Sequence, residues 1–246
     1  MRFLILADIH ANWYALETVL ADAEGKYDQV ICCGDLVGYN PHPDRVTEWV
    51  RQNCVQVIRG NHDKVVAGLE RLDWFNEVAQ EAARWTIRAM TSQNIEYLRA
   101  LPRGPATAQT FEICHGSPRD EDEYMTNTLE ALPAFPYLVD SLLFFGHSHL
   151  QGGFLERRNK VQVVPAVKKK ERESVVQLEV DTLYMINPGS VGQPRDGDMR
   201  AAYAIYETEQ RVVTLHRVPY PVAKTIEDIQ DAGLPDVLGL RLLRGL

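Results

Sequence analysis

The chain has few cysteines, and none of them is spaced like a structural framework. Only four occur in 246 residues, at Cys32, Cys33, Cys54 and Cys114, and no two form a CxxC pair. This pattern excludes a disulfide-stapled secreted domain and argues against a zinc knuckle. We therefore expect small buried thiols in strands and a reducing, cytoplasmic location.

Long hydrophobic runs are also missing. The N-terminal run from Phe3 to Ala7 ends at Asp8 and is far shorter than a signal-peptide core or a membrane span. We expect no export signal and no membrane association. A P-loop, a GxGxxG fingerprint, an HExxH motif and a complete GxSxG elbow are absent too, which argues against the enzyme classes that use them.

Positive charge is in deficit. The chain has 26 Lys and Arg against 34 Asp and Glu, for a net charge of -8 at pH 7. The electrostatic field of a chain with this negative net charge repels long polyanions, so we expect no long nucleic acid as a partner. A small anionic substrate is compatible with it where a local positive centre exists. The 45% hydrophobic and 24% charged residues are typical of a packed globular chain.

The first sixty residues alternate between strand-like and helix-like patterns. Continuous apolar runs at Phe3 to Ala7, Val30 to Cys33 and Val55 to Ile58 are typical of strands buried on both faces of a parallel sheet. Asn12 and Pro43 precede segments with helical spacing of apolar residues. The pattern predicts a β-α-β-α-β start.

The rest of the chain combines helical segments with a region rich in strands. Residues 70–101 have helical spacing and are predicted to form a cap or flank, and residues 221–246 are predicted to form a C-terminal helical tail. Strands are also predicted at 110–114 and 142–145, with a helical segment at 126–132 between them. From residue 161 the pattern predicts strands of a more antiparallel sheet, at 161–164, 175–180, 183–186, 201–206 and 212–218. We expect one α/β domain spanning residues 1–246.

Polar residues follow the predicted strands where each one ends. These segments of two to four residues are Asp8-Ile9-His10, Gly34-Asp35, Gly60-Asn61-His62-Asp63, His115-Gly116 and Gly146-His147-Ser148-His149. In open α/β sheets the carboxyl ends of strands face a common crevice, so these distant side chains can converge. A single histidine after a strand is usually structural, but five of the seven histidines lie at such points. The pattern indicates one shared site.

The residue types in this set are those that bind first-row divalent metals. Imidazole, carboxylate and amide oxygen suit Mn, Fe, Zn, Ni or Co better than Ca²⁺ or Cu(I), and manganese is favoured here. The candidates number more than one tetrahedral site needs, and they are Asp8, His10, Asp35, Asn61, His115, His147 and His149. Two ions that share a carboxylate are therefore predicted.

Taken together and in order, the motifs DIH, GD, GNHD, HG and GHSH resemble those of the calcineurin-like metallophosphoesterase superfamily. The segment NPGSVGQPR at 187–195 is similar to the closing motif of its compact prokaryotic phosphodiesterase branch. The resemblance implies a four-layer α/β/β/α sandwich of two mixed sheets flanked by helices.

The resemblance also implies roles for individual residues. One divalent ion would be held by Asp8, His10, Asp35 and His149, and the other by Asp35, Asn61, His115 and His147. Asp35 would bridge them together with a hydroxide that attacks phosphorus directly. His62 would be a catalytic histidine that assists the leaving oxygen.

One departure from the family pattern concerns the support of that histidine. The serine/threonine phosphatases of the superfamily carry GD-x-x-D-R, whereas this chain has Gly-Asp-Leu-Val-Gly-Tyr from Gly34 to Tyr39. Asp63 is therefore the candidate to orient His62. Arg195, Arg119 and Tyr39 are the candidates for substrate contact.

The function predicted from these features is metal-dependent hydrolysis of a small phosphodiester. A phosphomonoesterase, a phosphoprotein phosphatase or a dinucleoside polyphosphate hydrolase would use the same metal motifs and stays an alternative. A scaffold that kept the fold without catalysis is an alternative of another class. The complete ligand set and His62 argue against the scaffold.

Overall fold

The computed structural model describes all residues, 1–246, and contains two six-stranded sheets. The strands, numbered β1 to β12 in chain order, are Arg2–Leu6, Gln29–Cys32, Cys54–Val57, Ala106–Ala108, Phe111–Ile113, Leu142–Phe144, Gly152–Arg157, Lys160–Val164, Glu173–Gln177, Leu183–Asn187, Ala201–Glu207 and Val212–Val218. The helices, α1 to α8, are Trp13–Ala23, Pro43–Asn53, Asn61–Val66, Glu77–Ala89, Ser92–Ala100, Thr128–Ala131, Val222–Asp231 and Asp236–Arg244. Two 3₁₀ segments lie at Leu72–Trp74 and Leu132–Tyr137.

Each sheet combines a parallel part with an antiparallel part. The first sheet has the order β3-β2-β1-β11-β12-β9, in which β1, β2 and β3 are parallel and the C-terminal strands are antiparallel to their neighbours. The second has the order β4-β5-β6-β10-β7-β8, in which β5, β6 and β10 are parallel. Both sheets are mixed, as predicted.

The sheets face each other across a shared apolar core. Phe3 and Ile5 of β1 pack in this core with Phe111 and Phe144 of the second sheet. The alternate residues of β1, among them Leu4, point to the outer face and pack with residues of α1 and α2. Because both faces of β1 are covered, its sequence is continuously apolar. The layers are helices, sheet, sheet, and then α6 with the following 3₁₀ segment.

Two strands were not predicted. One is the short β4, and the other is β7, which begins with Gly152 and Gly153 at φ values of 119° and 142°. Glycine is required at the second position, because a Cβ there would lie 2.2 Å from the carbonyl oxygen of Met185. These glycines interrupt the apolar pattern, so the strand gave no clear periodicity.

Candidate dinuclear metal centre

The parallel strands of both sheets end at the edge where the predicted ligands lie. The segments after β1, β2 and β3 carry ligands from the first sheet, and those after β5 and β6 carry ligands from the second. Six of the seven predicted ligands are buried and Asn61 is half-buried. The structure brings all seven together, in two groups that share Asp35.

The first group holds two histidines whose free nitrogens face each other. The ligand atoms of this group lie within 4.8 Å of one another and belong to Asp8, His10, Asp35 and His149. The Nδ1 of His10 donates to the carbonyl of Val37 at 2.9 Å, and that of His149 to the carbonyl of Gln193 at 2.5 Å. Both Nε2 atoms, 3.1 Å apart, therefore present lone pairs. Two lone pairs at this distance repel unless a cation lies between them, so the geometry fits a metal ion.

The second group shows the same arrangement around an amide oxygen. His115 donates from Nδ1 to the carbonyl of Cys33 at 2.8 Å, and His147 from Nε2 to the carbonyl of Asp122 at 3.1 Å. The remaining nitrogens, His115 Nε2 and His147 Nδ1, lie 3.2 and 3.0 Å from Oδ1 of Asn61. The Asn61 oxygen and the His147 nitrogen are acceptors, and His115 Nε2 becomes a third acceptor when its ring is neutral, so the three atoms fit a cation.

Each buried carboxylate has one oxygen fixed by the backbone and one without a partner. Oδ1 of Asp35 accepts the N–H of His62 at 2.9 Å, whereas its Oδ2 lies 3.5 Å from Nε2 of His10 and 3.3 Å from Nε2 of His115. This oxygen faces both groups, as a shared ligand must. Oδ1 of Asp8 likewise accepts a backbone N–H and its Oδ2 has no partner. Buried, unpaired carboxylate oxygens are costly unless a cation binds them.

The pKa values show that the cluster requires positive charge. Burial lowers the pKa of His10 to about 4 and that of His147 to about 3, so both rings are neutral and available as ligands. Burial also acts against the charged form of His115, but the carboxylates of Asp35 and Asp8 and the hydrogen bond to the carbonyl of Cys33 together outweigh it and raise the pKa of His115 to about 10. Without a metal ion, a proton on His115 supplies the charge that the carboxylates need.

The backbone around the site is strained. Five of the predicted ligands have φ between 47° and 65°, and they are Asp8, His10, Asp35, His147 and His149. Such conformations are uncommon outside glycine and concentrate at functional sites. Gly60 is required for a different reason, because a Cβ there would lie 2.1 Å from Oδ1 of Asp35. The glycine of GNHD therefore permits the close approach of the two loops.

His62 lies beside the metal groups in an aromatic enclosure. Its ring centroid is 4.5 Å from that of Tyr39 and 4.4 Å from that of Phe75. Its Nδ1 is buried without a partner and faces Gly38, where a Cβ would lie 2.4 Å away. Burial lowers the pKa of His62 to about 3. The ring is therefore neutral, and because a buried N–H without an acceptor is costly, we place its proton on Nε2.

Asp63 does not orient His62, which corrects the predicted role. Its Oδ1 accepts the backbone N–H groups of Leu36 and Val37 at 2.9 and 3.3 Å, and its Oδ2 accepts that of Gly60 at 2.9 Å. The carboxylate therefore ties the loop that carries Asp35 to the start of α3. Asp63 holds the ligand loop in place and makes no contact with the reacting groups.

A cavity of about 430 Å³ opens onto the metal groups. Tyr39 and Arg195 line it, as predicted, and Nη2 of Arg195 donates to the hydroxyl of Tyr39 at 3.0 Å. Arg119 does not line it, contrary to prediction. Ser117 fixes a turn by accepting the backbone N–H of Arg119 at 3.1 Å, and the guanidinium pairs with Glu123 at 3.1 Å.

Seven further residues line this cavity that no sequence motif indicated, and four of them have aromatic or charged side chains. Trp74 ends the 3₁₀ segment and Phe75 follows it, Tyr124 stacks on His147 with ring centroids 3.9 Å apart, and Arg241 comes from α8. Adjacent aromatics at 74 and 75 are the only sequence signal among them. The helical segment at 70–101 thus contributes to the cavity wall as well as to the helical layer.

No helix in the structure combines the length and the hydropathy needed to cross a bilayer.

Comparison with known proteins assigns the family. Residues 1–211 match the calcineurin-like phosphoesterase superfamily domain. A metallophosphoesterase from Sphaerobacter thermophilus is 38% identical, with a TM-score of 0.86 over 100% of this chain and 99% of the other. An uncharacterized protein of Methanocaldococcus jannaschii is 34% identical over 98% of this chain and 97% of its own length. A hypothetical protein of Pyrococcus horikoshii, 19% identical with a TM-score of 0.79 over 100% of this chain and 98% of its own, shares the fold. The chain therefore belongs to the calcineurin-like phosphoesterase superfamily and is a metal-dependent phosphoric ester hydrolase.

Proposed function

We propose that this protein is a dinuclear metal-dependent phosphodiesterase that acts on a small substrate. Asp8, His10, Asp35 and His149 would hold one ion, and Asp35, Asn61, His115 and His147 the other. When bound, two such ions polarise phosphoryl oxygens and activate water near neutral pH for direct attack on phosphorus. The unpartnered Oδ2 atoms of Asp8 and Asp35, and the ligand nitrogens of the histidines clustered with them, support this assignment.

The observation that favours a diester is the presence of two adjoining cavities at the metal groups. A second cavity of about 440 Å³ is lined by Lys64 and Val65 and lies beside the first, which is lined by Tyr39 and Arg195. Residues common to both are Asn61, Trp74, Phe75, Tyr124 and His147. A phosphodiester carries two substituents on phosphorus and would place one in each cavity, whereas a monoester would fill only one.

The side chains around the cavities would bind the phosphate and assist the leaving oxygen. Arg195 is half-buried beside the metal groups, and its guanidinium would bind a non-bridging oxygen of the phosphate. Tyr39 accepts the Arg195 hydrogen bond and so fixes its direction. His62, neutral and with its N–H on Nε2, would donate a hydrogen bond to the leaving oxygen and so stabilise the negative charge that develops there as the ester bond breaks.

The positions after Asp35 disfavour a phosphoprotein phosphatase. The acidic residue and arginine of GD-x-x-D-R are replaced by Gly38 and Tyr39, and the space beside Gly38 is filled by the ring of His62. The carboxylate that would support the histidine in those enzymes therefore has no place here. Aromatic walls at Trp74, Phe75 and Tyr124 are suited to an aromatic or nucleoside substituent.

The mixed nitrogen and oxygen ligand set supports manganese as the first metal to test. Residues 1–246 would act as one domain, because the C-terminal helix α8 contributes a wall of the same cavity. All four cysteines are free thiols, which supports the proposal that the protein works in the reducing cytoplasm.

The test is a substrate panel on metal-stripped protein reloaded separately with Mn, Fe, Ni, Zn and Co. It compares a nucleotide 4-nitrophenyl diester, 4-nitrophenyl phosphate, a dinucleoside polyphosphate and a phosphopeptide by kcat/KM. We expect the diester to be hydrolysed with the highest kcat/KM. A higher value for the monoester or the phosphopeptide would refute the assignment.

A further inference from the structure

The C-terminal helical pair brings a cation to the cavity from outside the matched family domain. The family match ends at residue 211, and α7 and α8 follow it. Leu238 and Leu242 of α8 pack with Tyr39 and with Ala79 and Ala82 of α4. This packing turns Arg241, one position before Leu242, toward the cavity that contains the metal-facing residues.

Several contacts fix this helical pair against the site. Nε1 of Trp85 donates to the carbonyl of Ala232 at 2.9 Å, which joins α4 to the turn between α7 and α8. Beyond α8, the N–H of Gly197 donates to the carbonyl of Gly245 at 2.9 Å. Gly197 follows the loop that carries Arg195. The position of Arg241 relative to Arg195 is therefore set by packing at one end and by backbone hydrogen bonding at the other.

Neither arginine in the cavity is neutralised. The ion-paired arginines of the chain lie outside this cavity, for example Arg59 with Glu121 and Arg217 with Asp196. Arg195 and Arg241 have no carboxylate within 4 Å, although both are half-buried. In a chain with a net charge of -8, two unpaired guanidinium groups in one cavity form a local anion-binding surface.

The two arginines enter the cavity from different elements. The backbone N–H of Arg195 donates to the carbonyl of the predicted ligand His149 at 3.3 Å, so Arg195 is tied to the metal groups. Arg241 comes from α8, whose Leu238 and Leu242 pack in one cluster with Tyr39. Arg195 is thus placed for the phosphate that reacts, and Arg241, held by a separate part of the cavity wall, for another group of the substrate.

We propose that Arg241 binds a second phosphate group of the substrate, so that the enzyme prefers phosphodiesters that carry an additional phosphate on one substituent. This inference rests on the proposed phosphodiesterase function. It identifies the substrate class as small nucleotide-like diesters with two anionic groups. Arg241 is then a residue that determines specificity, and the C-terminal helical pair is the element that positions it.

The experiment uses two diesters with the same reacting bond. Thymidine 5′-(4-nitrophenyl phosphate) carries one anionic group, and its 3′-phosphorylated counterpart carries two. We expect the manganese-loaded enzyme to show a KM roughly 10-fold lower for the phosphorylated ester, as one charge-assisted contact provides. In Arg241→Gln this preference should fall below about 2-fold. Arg244→Gln, an exposed position on the same helix, is the matched control and should keep the full preference.

A binding arm separates failure of this inference from failure of the proposed function. Isothermal titration compares thymidine 3′,5′-bisphosphate with thymidine 5′-monophosphate on the three proteins, and it requires no hydrolysis. If neither ester is hydrolysed, the proposed function is refuted, and the titration still decides whether Arg241 supplies the preference for two phosphates. Equal preference in the native enzyme and in Arg241→Gln, in either arm, would overturn the role of Arg241.

Discussion

Replacing Asp35 by Asn tests whether one carboxylate joins the two ligand groups. The amide oxygen of Asn can still accept the N–H of His62, a bond of 2.9 Å in the native chain. Its NH₂ group would take the place of Oδ2 and face the Nε2 atoms of His10 and His115, which lie 3.5 and 3.3 Å away. Because an NH₂ group donates hydrogen bonds and cannot bind a cation, we expect Asp35→Asn to fold but to lose both ions.

The size of the effect follows from linkage between binding and folding. One ion at a free concentration 100-fold above its dissociation constant stabilises the folded state by about 2.7 kcal/mol, and two independent ions by about twice that. For a chain of this length, 1 kcal/mol corresponds to about 2–4 °C in Tm. Metal should therefore raise the Tm of the native protein by roughly 10–20 °C. In Asp35→Asn the rise should be close to zero.

The assay combines differential scanning calorimetry, with and without a chelator, and elemental analysis after gel filtration. Asp22→Asn is the control, since that carboxylate accepts the hydroxyl of Tyr203 at 2.6 Å and touches no predicted ligand. It should keep both ions and the full metal-induced rise in Tm. Two tightly held ions in Asp35→Asn, or a rise in Tm equal to that of the native protein, would refute the shared carboxylate.

Three further predictions concern single groups of the site. His62→Ala should lower kcat by roughly 10²- to 10³-fold while elemental analysis still finds two ions, and unchanged turnover on a nucleotide diester would contradict a role in stabilising the leaving oxygen. Metal binding at pH 8 should release about one proton, because His115, whose pKa lies near 10 without metal, must become neutral to bind. Calorimetric titration of the protein with metal in several buffers measures this release, and heats that do not depend on the ionisation enthalpy of the buffer would disprove it. Asp63→Ala should lower the free energy of unfolding by about 3 kcal/mol or more, because three backbone N–H groups lose their acceptor. Urea unfolding measures this loss, and a value below about 1 kcal/mol would mean that other contacts hold the loop.

The metal ligands could be predicted because each is encoded by a short local signal. A strand that is buried on both faces is a continuous apolar run, and Asp8, Asp35 and His115 follow such runs directly. The edge at which these strands end is then fixed by parallel pairing, which the alternating strands and helices indicate. Local sequence and one topological rule were therefore sufficient to bring distant residues into one site.

The two incorrect predictions share a physical cause. Asp63 was assigned to His62, and Arg119 to the cavity, because each is adjacent in sequence to a motif. Consecutive residues at the start of a helix point about 100° apart, so His62 and Asp63 of α3 face different neighbours. Arg119 follows a tight turn that directs it to Glu123. Sequence adjacency does not determine side-chain direction.

Sheet order depended on long-range pairing that carries little local signal. Strand β11 pairs with β1, with Phe3 opposite Tyr206, across a separation of about two hundred residues. The apolar pattern indicated that both segments are strands but not that they are neighbours. The antiparallel character of the second half was confirmed, whereas its division between the two sheets could not be derived.

The walls of the cavity show why chemistry was easier to predict than specificity. Binding a pair of ions demands particular residue types at fixed places, whereas a substrate wall requires only a side chain of suitable shape and charge. Arg241 meets that requirement through the packing of Leu238 and Leu242 on Tyr39, a contact between segments some two hundred positions apart. The apolar spacing of α8 predicts a helix but not the surface it covers. We infer that members of this superfamily with the same metal motifs can differ in substrate through elements that lie outside those motifs, and that the C-terminal helical pair is such an element in this chain.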